Sequence, residues 1–321
     1  MKYLFVFFLT SLLLACASGP AGPLPGQMQN SLGMQFVRID SGSFRMGSML
    51  PAGEVFRLYG GDSAWYMNEH PVHRVTITKP FMMGVLEVTR GQFIRFVKAT
   101  GYVTEAEKEH FAVGWIGKER KTDASLNWKN PGHKQTDEHP VVCVTWNDAM
   151  AFIEWLNDAD TSLPAGYVYD LPTEAEWEYA CRAGSDSAFY WGNNPADGRG
   201  HANVADSAGA AAHGWALFFP FHDGYAESAP AGMFKPNAFG LKDMSGNVYE
   251  WTKDAGGDEL NFYKKTPAKD PLNMDGDSLR MLRGGSWHSN QRGIRCAKRK
   301  GYSPTMAGDN VGFRVMIRRE D

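Results

Sequence analysis

Residues 171–184 read LPTEAEWEYACRAG. Thr173 is a helix cap, and Glu174 and Glu176 occupy the first turn, where the positive helix end favours a carboxylate. Glu176 stands three residues after Thr173, as a capping box requires. Glu174, Glu176 and Glu178 resemble a set of paired carboxylates. Capping and surface solvation account for them better, since helical geometry turns close neighbours apart. From Gly184 to Gly240 the chain is mostly Gly, Ala, Asn, Asp and aromatic residues. So long an irregular stretch implies functional loops, or loops held by an ion.

Working outward, Pro140 to Thr145 reads as a short buried strand. Trp146-Asn147-Asp148 then leads into a helix with Phe152, Trp155 and Leu156 at core spacing and Asn147 as its cap. Further upstream, Thr89 caps a helix carrying Phe93, Phe96 and Val97, which stops at Gly101. Met34 to Met46 alternates and reads as a hairpin around Asp40-Ser41-Gly42. Val72 to Thr78 reads as a strand, and Phe81 to Val88 as an extended apolar stretch. Downstream, Leu282 to Trp287 and Val311 to Arg318 read as closing strands. Short strands, few helices, 10 Trp and 35 Gly point to an α+β fold with little regular structure. From Ser31 to the end there are about 290 residues without a composition break, at the upper size of a single core. One domain, 31–321, is expected.

The N-terminus has one lysine, an apolar run from Tyr3 to Leu14, and Ala15 before Cys16. These are the parts of a secretory signal, and the run is too short for a permanent span. Leu13-Leu14-Ala15-Cys16 resembles the lipobox of bacterial lipoproteins. That resemblance implies a signal peptide over 1–15 and lipidation at Cys16. Several acyl chains on one cysteine make such an anchor stable. Ala17, where an aspartate would imply inner-membrane retention, favours the outer membrane, facing the periplasm. Residues 16–30 are Gly, Pro, Ala and small polar residues and read as a flexible tether. The net charge is −3 with the charges interspersed, which gives no basic groove for nucleic acid.

Several separated blocks look like one family. Phe44-Arg45-Met46-Gly47 comes first, then Glu69-His70-Pro71-Val72-His73, Glu87-Val88-Thr89, and the run from Gly101 to Glu107. His139-Pro140-Val141-Val142 and Trp146-Asn147-Asp148-Ala149 precede LPTEAEWEYACRAG and Tyr190-Trp191-Gly192. Pro236-Asn237, Phe239-Gly240-Leu241, DMSGNVYEW (243–251), RGGSW (283–287), RCAKR (295–299) and Gly312-Phe313-Arg314 complete the set. The blocks are collinear from about 34 to 318 and resemble the formylglycine-generating enzyme (sulfatase-modifying factor) family. The resemblance implies an irregular α+β fold related to C-type lectins.

Family enzymes oxidise a sulfatase cysteine to formylglycine with oxygen and copper(I), which two active-site cysteines bind. The corresponding stretch here, His288 to Ile294, has no cysteine. Ser289 stands near the position of the first. A neutral hydroxyl is a poor ligand for soft copper(I), so copper is not expected. Ser286 matches a serine lining the family's oxygen pocket and reads equally well as a turn residue. Ser286, Trp287, His288 and Ser289 form the candidate cleft.

The resemblance further implies a Cys181–Cys296 disulfide, which leaves Cys143 as a buried, inert thiol. It also implies calcium in the loops. One set is Asn203 and Asp223 with the carbonyls of Val204 and Tyr225. The other is Asp243 with the carbonyls of Met244, Gly246 and Val248. Glu87 and Glu250 are further contributors. Hard cations take such oxygens, although Asn, Asp and Gly also make ordinary turns.

Other constellations carry less. His70 and His73 fall on opposite faces of a strand. His201, His213 and His222 are scattered through the loops. Trp115, Trp128, Trp146 and Trp287 suit a cleft, but core filling is the better reading for most of them. No nucleophile elbow, P-loop or dinucleotide fingerprint occurs. Three functions follow from the resemblance. The first is a membrane-tethered, non-oxidase member that binds an envelope protein or a small periplasmic ligand. The second is an oxidoreductase of altered chemistry on a periplasmic precursor, as for a relative in pyoverdine maturation. The third, disfavoured by the missing cysteines, is a sulfatase activator.

Overall fold

The computed structural model describes residues 23–216, 218–256, 262–276 and 278–320. The signal peptide, Cys16 and the first part of the tether lie outside the described residues. In chain order, the first elements are β1 (Gln27–Gln29), β2 (Gln35–Ile39), β3 (Gly42–Met46), α1 (Ala52–Tyr59), β4 (His73–Ile77), β5 (Phe81–Gly84), α2 (Arg90–Thr100) and α3 (Glu105–Glu109). They are followed by β6 (Ala112–Ile116), β7 (Glu119–Asp123), α4 (Trp146–Ala159), β8 (Tyr167–Asp170), α5 (Glu174–Arg182) and α6 (Ser207–His213). The chain closes with β9 (Tyr249–Ala255), α7 (Phe262–Lys265), β10 (Arg280–Arg283), β11 (Lys300–Tyr302), β12 (Val311–Phe313) and β13 (Met316–Arg319). This is the expected α+β class. Among the described residues no helix is long and apolar enough to cross a membrane.

The helices start where their sequences dictate. Thr89, Thr104, Thr145 and Thr173 each accept from the third backbone amide of α2, α3, α4 and α5. Gln92, Glu107, Asp148 and Glu176 return the bond to the cap amide. Each reciprocal pair satisfies two amides that the helix itself leaves free. For α4 the cap is therefore Thr145 and not Asn147. Asn147 lies inside the helix, where its amide reaches Glu105.

A five-stranded sheet in the order β1-β2-β5-β13-β8 forms the centre. Its strands alternate between two cores, as a pleat requires. Phe36, Met82 and Ile317 face Phe93, Phe96 of α2 and Phe152, Leu156 of α4. Ile39, Phe81, Met83 and Met316 face Ala175, Trp177 and Cys181 of α5. A second sheet, β11-β10-β9-β12, joins β12 parallel to β9, and its Trp251, Leu282, Val311 and Phe313 pack into the first of these cores.

Four expectations need correction. Residues 27–29 of the expected tether pair with β2, and Leu24 is buried, so the fold begins before Ser31. Leu24 offers enough apolar surface to anchor a short edge strand. Residues 34–46 are not a hairpin: β2 pairs with β1 and β5, and β3 pairs with β4. Alternation placed both strands but could not choose their partners. Pro140 to Thr145 is buried without forming a strand. Its amides bond Val88 and Gly308, and Cys143 turns to φ 55°. Finally, Glu174 and Glu178 are not solvated; both are fully buried.

Those carboxylates belong to a set of buried ion pairs. Arg299 Nη2 lies 2.6 Å from Glu174, Arg283 Nη2 lies 2.5 Å from Glu178, and Arg314 Nη2 lies 2.7 Å from Glu250. Arg295 grips Glu69 with both Nη atoms, at 2.5 and 2.7 Å. Removing one member of such a pair strands a buried charge. Glu69→Gln is expected to cost about 3–5 kcal/mol, read from the urea midpoint. The double replacement Glu69→Met with Arg295→Met should recover most of that loss. An unchanged midpoint in the single variant would show that the pair contributes nothing.

Candidate functional site

β10 ends at Arg283 and runs into Gly284 and Gly285, both at positive φ. A Cβ on Gly285 would lie 2.7 Å from the Gly293 carbonyl, so only glycine lets this turn lie against residues 293–294. The turn brings the candidate cleft residues together. The Ser286 amide donates to Ser289 Oγ at 3.0 Å, and the Ser289 amide donates to the Ser286 carbonyl at 2.8 Å. Ser289 Oγ donates to Tyr249 Oη at 3.4 Å. Asn310 Nδ2 donates to Ser286 Oγ at 3.0 Å and to His288 Nε2 at 2.7 Å, while its Oδ1 accepts from Arg120 at 3.2 Å. Asn310 thus occupies the His288 Nε2 lone pair, and among the described residues neither serine is hydrogen-bonded to a histidine that would activate it as a nucleophile.

Indoles and imidazoles wall this turn. Trp287 is buried at its centre. Around it stand Trp215 (5.9 Å between ring centroids), His213 (5.6 Å), His133 (5.7 Å) and His288 (5.3 Å). Trp115 closes on His213 at 4.9 Å and on Trp215 at 5.8 Å. Burial holds the His288 imidazole down at about 3, helped by Arg120 and Lys300, and holds His133 at about 4. Both are neutral at pH 7. Burial also pushes the Asp309 carboxyl up to about 6; its Oδ2 accepts the Trp115 amide at 2.9 Å. Trp115 Nε1 and Gln135 Oε1 are buried here without a hydrogen-bond partner among the described residues, whereas His213 Nε2 lies 3.3 Å from Glu227 Oε1 and Asp309 Oδ1 lies 3.8 Å from Arg120. Unmatched polar atoms beside stacked rings suit a bound group that supplies the missing partners.

The two expected calcium sets are each brought together, in part as read. Asp223 accepts the amides of Val204 (2.8 Å) and Tyr225 (2.9 Å), the two residues expected to offer carbonyls. Burial pushes its carboxyl up to about 7. Asn203 Oδ1 is buried and unpartnered. In the second set Asp243 sits at φ 59° and accepts the Gly232 amide with Oδ2. Its Oδ1, Glu87 Oε2 and Ser245 Oγ are buried and unpartnered. Gly246 packs against the Asn203 carbonyl, and the Asn247 amide donates to that carbonyl, so the sets adjoin. Met244 offers its carbonyl to Cys181 Sγ at 3.4 Å, and Val248 is buried. Glu250 is committed to Arg314 and to Trp177 Nε1 instead. Hard oxygen donors, with the Glu87 and Asp243 carboxyls close enough to interact directly, fit a calcium ion chemically. Among the described residues no three His, Cys, Asp or Glu side chains converge on one metal position, so carbonyls and amides would have to complete either set.

Cys181 and Cys296 face each other in the core with their sulfurs 3.2 Å apart, longer than the about 2.05 Å of a bridge. Cys143 is buried, and burial raises its thiol well above the usual range, as an inert role requires.

The whole chain can now be set beside known proteins. The model of the "Sulfatase-modifying factor enzyme 1-like domain" matches residues 22–319. The chain belongs to the sulfatase-modifying factor family. It is 32% identical to the formylglycine-generating enzyme of Thermomonospora curvata, over 91% of this chain and 96% of that one. It is 31% identical to the inactive C-alpha-formylglycine-generating enzyme 2 of Mus musculus, over 87% and 84%. The fold is similar to the structure of PvdO from Pseudomonas aeruginosa, with a TM-score of 0.69 and 28% identity, covering 92% of this chain and all of that one. Copper(I) chemistry in this family rests on a thiolate pair. Ser289 supplies a hydroxyl locked between the Ser286 amide and Tyr249, and the residues present do not fit the metal.

Of the scattered candidates, His213 joins the site, whereas His201 packs on Tyr190 and His222 bonds Asp206; the three do not meet. Trp128 and Trp146 are core and edge residues, as read. Trp215, His133, Gln135, Asp309 and Asn310 were not picked out. They come from three loops distant in sequence, and no spacing signals their meeting.

The neutral histidines set a pH dependence. Unfolded, they titrate near 6.5; folded, they stay neutral to about 3–4. Between those values the unfolded state binds more protons, so stability falls as pH drops, by at most about 1.4 kcal/mol per pH unit per group. His288→Gln should flatten the denaturant-midpoint profile between pH 7 and 4. A profile parallel to that of the parent chain would refute the buried neutral imidazole.

Proposed function

We propose that this chain is a lipid-tethered member of the family that binds a small periplasmic ligand or an envelope protein at the Trp115–Trp215–Trp287 site, without copper-dependent formylglycine formation. Ser289 carries the reading. Where the named chemistry needs a thiolate, this chain has a hydroxyl already engaged on both sides. The indole and imidazole walls, with Trp115 Nε1 and Gln135 Oε1 unmatched, support recognition by stacking plus directed hydrogen bonds. Export and anchoring through Cys16, at the outer membrane facing the periplasm, rest on the leader sequence. A second reading, an oxidoreductase of altered chemistry on a periplasmic precursor, draws on the likeness to PvdO.

The chain from Ala17 onward, given copper(I), oxygen and a cysteine-containing sulfatase peptide, should leave the peptide unconverted by mass spectrometry beside a working family enzyme. Aldehyde formation would overturn the reading. Calcium at the two oxygen sets and the Cys181–Cys296 bridge form the structural part of the proposal. The bridge closes a long loop, and about 3–5 kcal/mol is the expected order of its effect. A melting series separates them: EGTA should lower the midpoint, calcium should restore it, and a thiol reductant should lower it independently. If neither agent moves the midpoint, both assignments are wrong.

A further inference from the structure

A cavity lies away from the Trp287 site, and none of its lining residues belongs to that site. It measures about 530 Å³, within the range of small-ligand sites, and is lined by β3, β4, the end of α5 and the loop after it. The β3–β4 ladder places Arg45 directly opposite Arg74. Opposed residues of a ladder share one face at about 5 Å, where like charges repel. Both arginines line the cavity. Arg45 is answered by Asp186 at 2.6 Å, and both of those side chains are more than half exposed. Arg74 has no hydrogen bond or ion pair among the described residues. Arg182 closes the inner wall, but its charge is already met by Glu178 at 2.8 Å. His73 lines the same space. Its Nδ1 donates to the Pro71 carbonyl, and its Nε2 is without a partner. The Arg74 guanidinium therefore stands in this cavity without an ion-pair partner among the described residues, open to solvent.

Three aromatic rings line the same cavity, together with Ser43, Val72, Gly184, Ser185 and the Asp186 carboxylate. Phe44 and Tyr179 lie 5.3 Å apart, and Tyr179 meets Phe239 edge-on at 5.9 Å. Two opposed guanidinium groups and three aromatic rings line one cavity, and together they define the ligand. A carboxylate has two oxygens, and a single fork fills them. A tetrahedral oxyanion has three, enough to be shared between two forks, and would remove the repulsion of the pair. We propose that this cavity is a second binding site for a phosphate or sulfate monoester, its oxyanion held between Arg74 and Arg45 and its organic part lying on Phe44, Tyr179 and Phe239.

The test titrates the mature chain with phenyl phosphate, phenyl sulfate, inorganic phosphate and benzyl alcohol by calorimetry. An aryl ester should bind saturably and benzyl alcohol should not. Arg74→Gln should weaken aryl-ester binding by about tenfold or more, the scale of one charge-assisted contact. In the absence of anion the same variant should melt at or above the parent temperature, because it removes a repulsion; this separates lost binding from lost folding. Phe239→Ala should weaken the aryl esters while leaving inorganic phosphate unchanged. Vesicles of phosphatidic acid in phosphatidylcholine distinguish the source. Capture that phenyl phosphate competes away identifies a lipid headgroup, and aryl-ester binding without vesicle capture identifies a free ester. Equal affinity in Arg74→Gln, or no saturable binding of either aryl ester at millimolar concentration, overturns the proposal.

Discussion

Four carboxylates with no solvent exposure, Glu69, Glu174, Glu178 and Glu250, are each held by an arginine from the segment 283–314. Moving a charge out of water costs several kcal/mol, and only close, multiply hydrogen-bonded partners offset it. The contacts meet that demand. Glu178 also accepts the Gly47 amide and the Arg182 guanidinium, and these cations hold it ionised against its burial. Glu250 takes Trp177 Nε1 at 2.7 Å besides Arg314. Such pairs add little net stability over apolar packing, but they make any other register costly. Here they tie the last strands to the turn before β4, to α5 and to β9. A chain with this much loop has few other means of placing its C-terminal third.

The Ser286–Ser289 turn hangs from those anchors. Arg283 immediately precedes it, and Arg295 and Arg299 follow it, so both of its ends are fixed in the interior. Gly284 and Gly285 let the chain reverse at close quarters. The turn is therefore a rigid presentation of four side chains, suited to hold chemistry whose identity depends on what those side chains are. With serines in place and Asn310, Tyr249 and Arg120 closing the hydrogen bonds, the presentation survives while the soft-metal donors do not.

Legibility in the sequence followed the range of the interaction. Thr89 and Thr173 were readable as caps because cap and partner lie three residues apart. Asn147 displaced Thr145 in the reading because both are good caps, and only Asp148, three residues after Thr145, decides between them. β2 and β3 were each recognisable by alternation, yet their partners lie on strands brought in from elsewhere, which a turn signal at Asp40–Gly42 cannot report. The glutamates of α5 misled for the same reason: a buried carboxylate looks surface-like until its arginine, more than a hundred residues away, is known. The motif blocks were legible as a family, but Trp215, His133 and Asp309 carry no local signature of meeting Trp287.

The Trp287 site and the β3–β4 cavity draw on opposite electrostatics, and that contrast follows from how each is built. Around Trp287, neutral imidazoles, indoles and a carboxyl that burial pushes toward neutrality leave little net charge, so selectivity there must come from shape and hydrogen-bond direction. At the β3–β4 ladder, the strand register itself forces two guanidinium groups together on an exposed face. Like charges opposed across a ladder repel, and an anion bound between them relieves that repulsion. Asp186 answers Arg45, and the Arg74 guanidinium has no ion pair among the described residues.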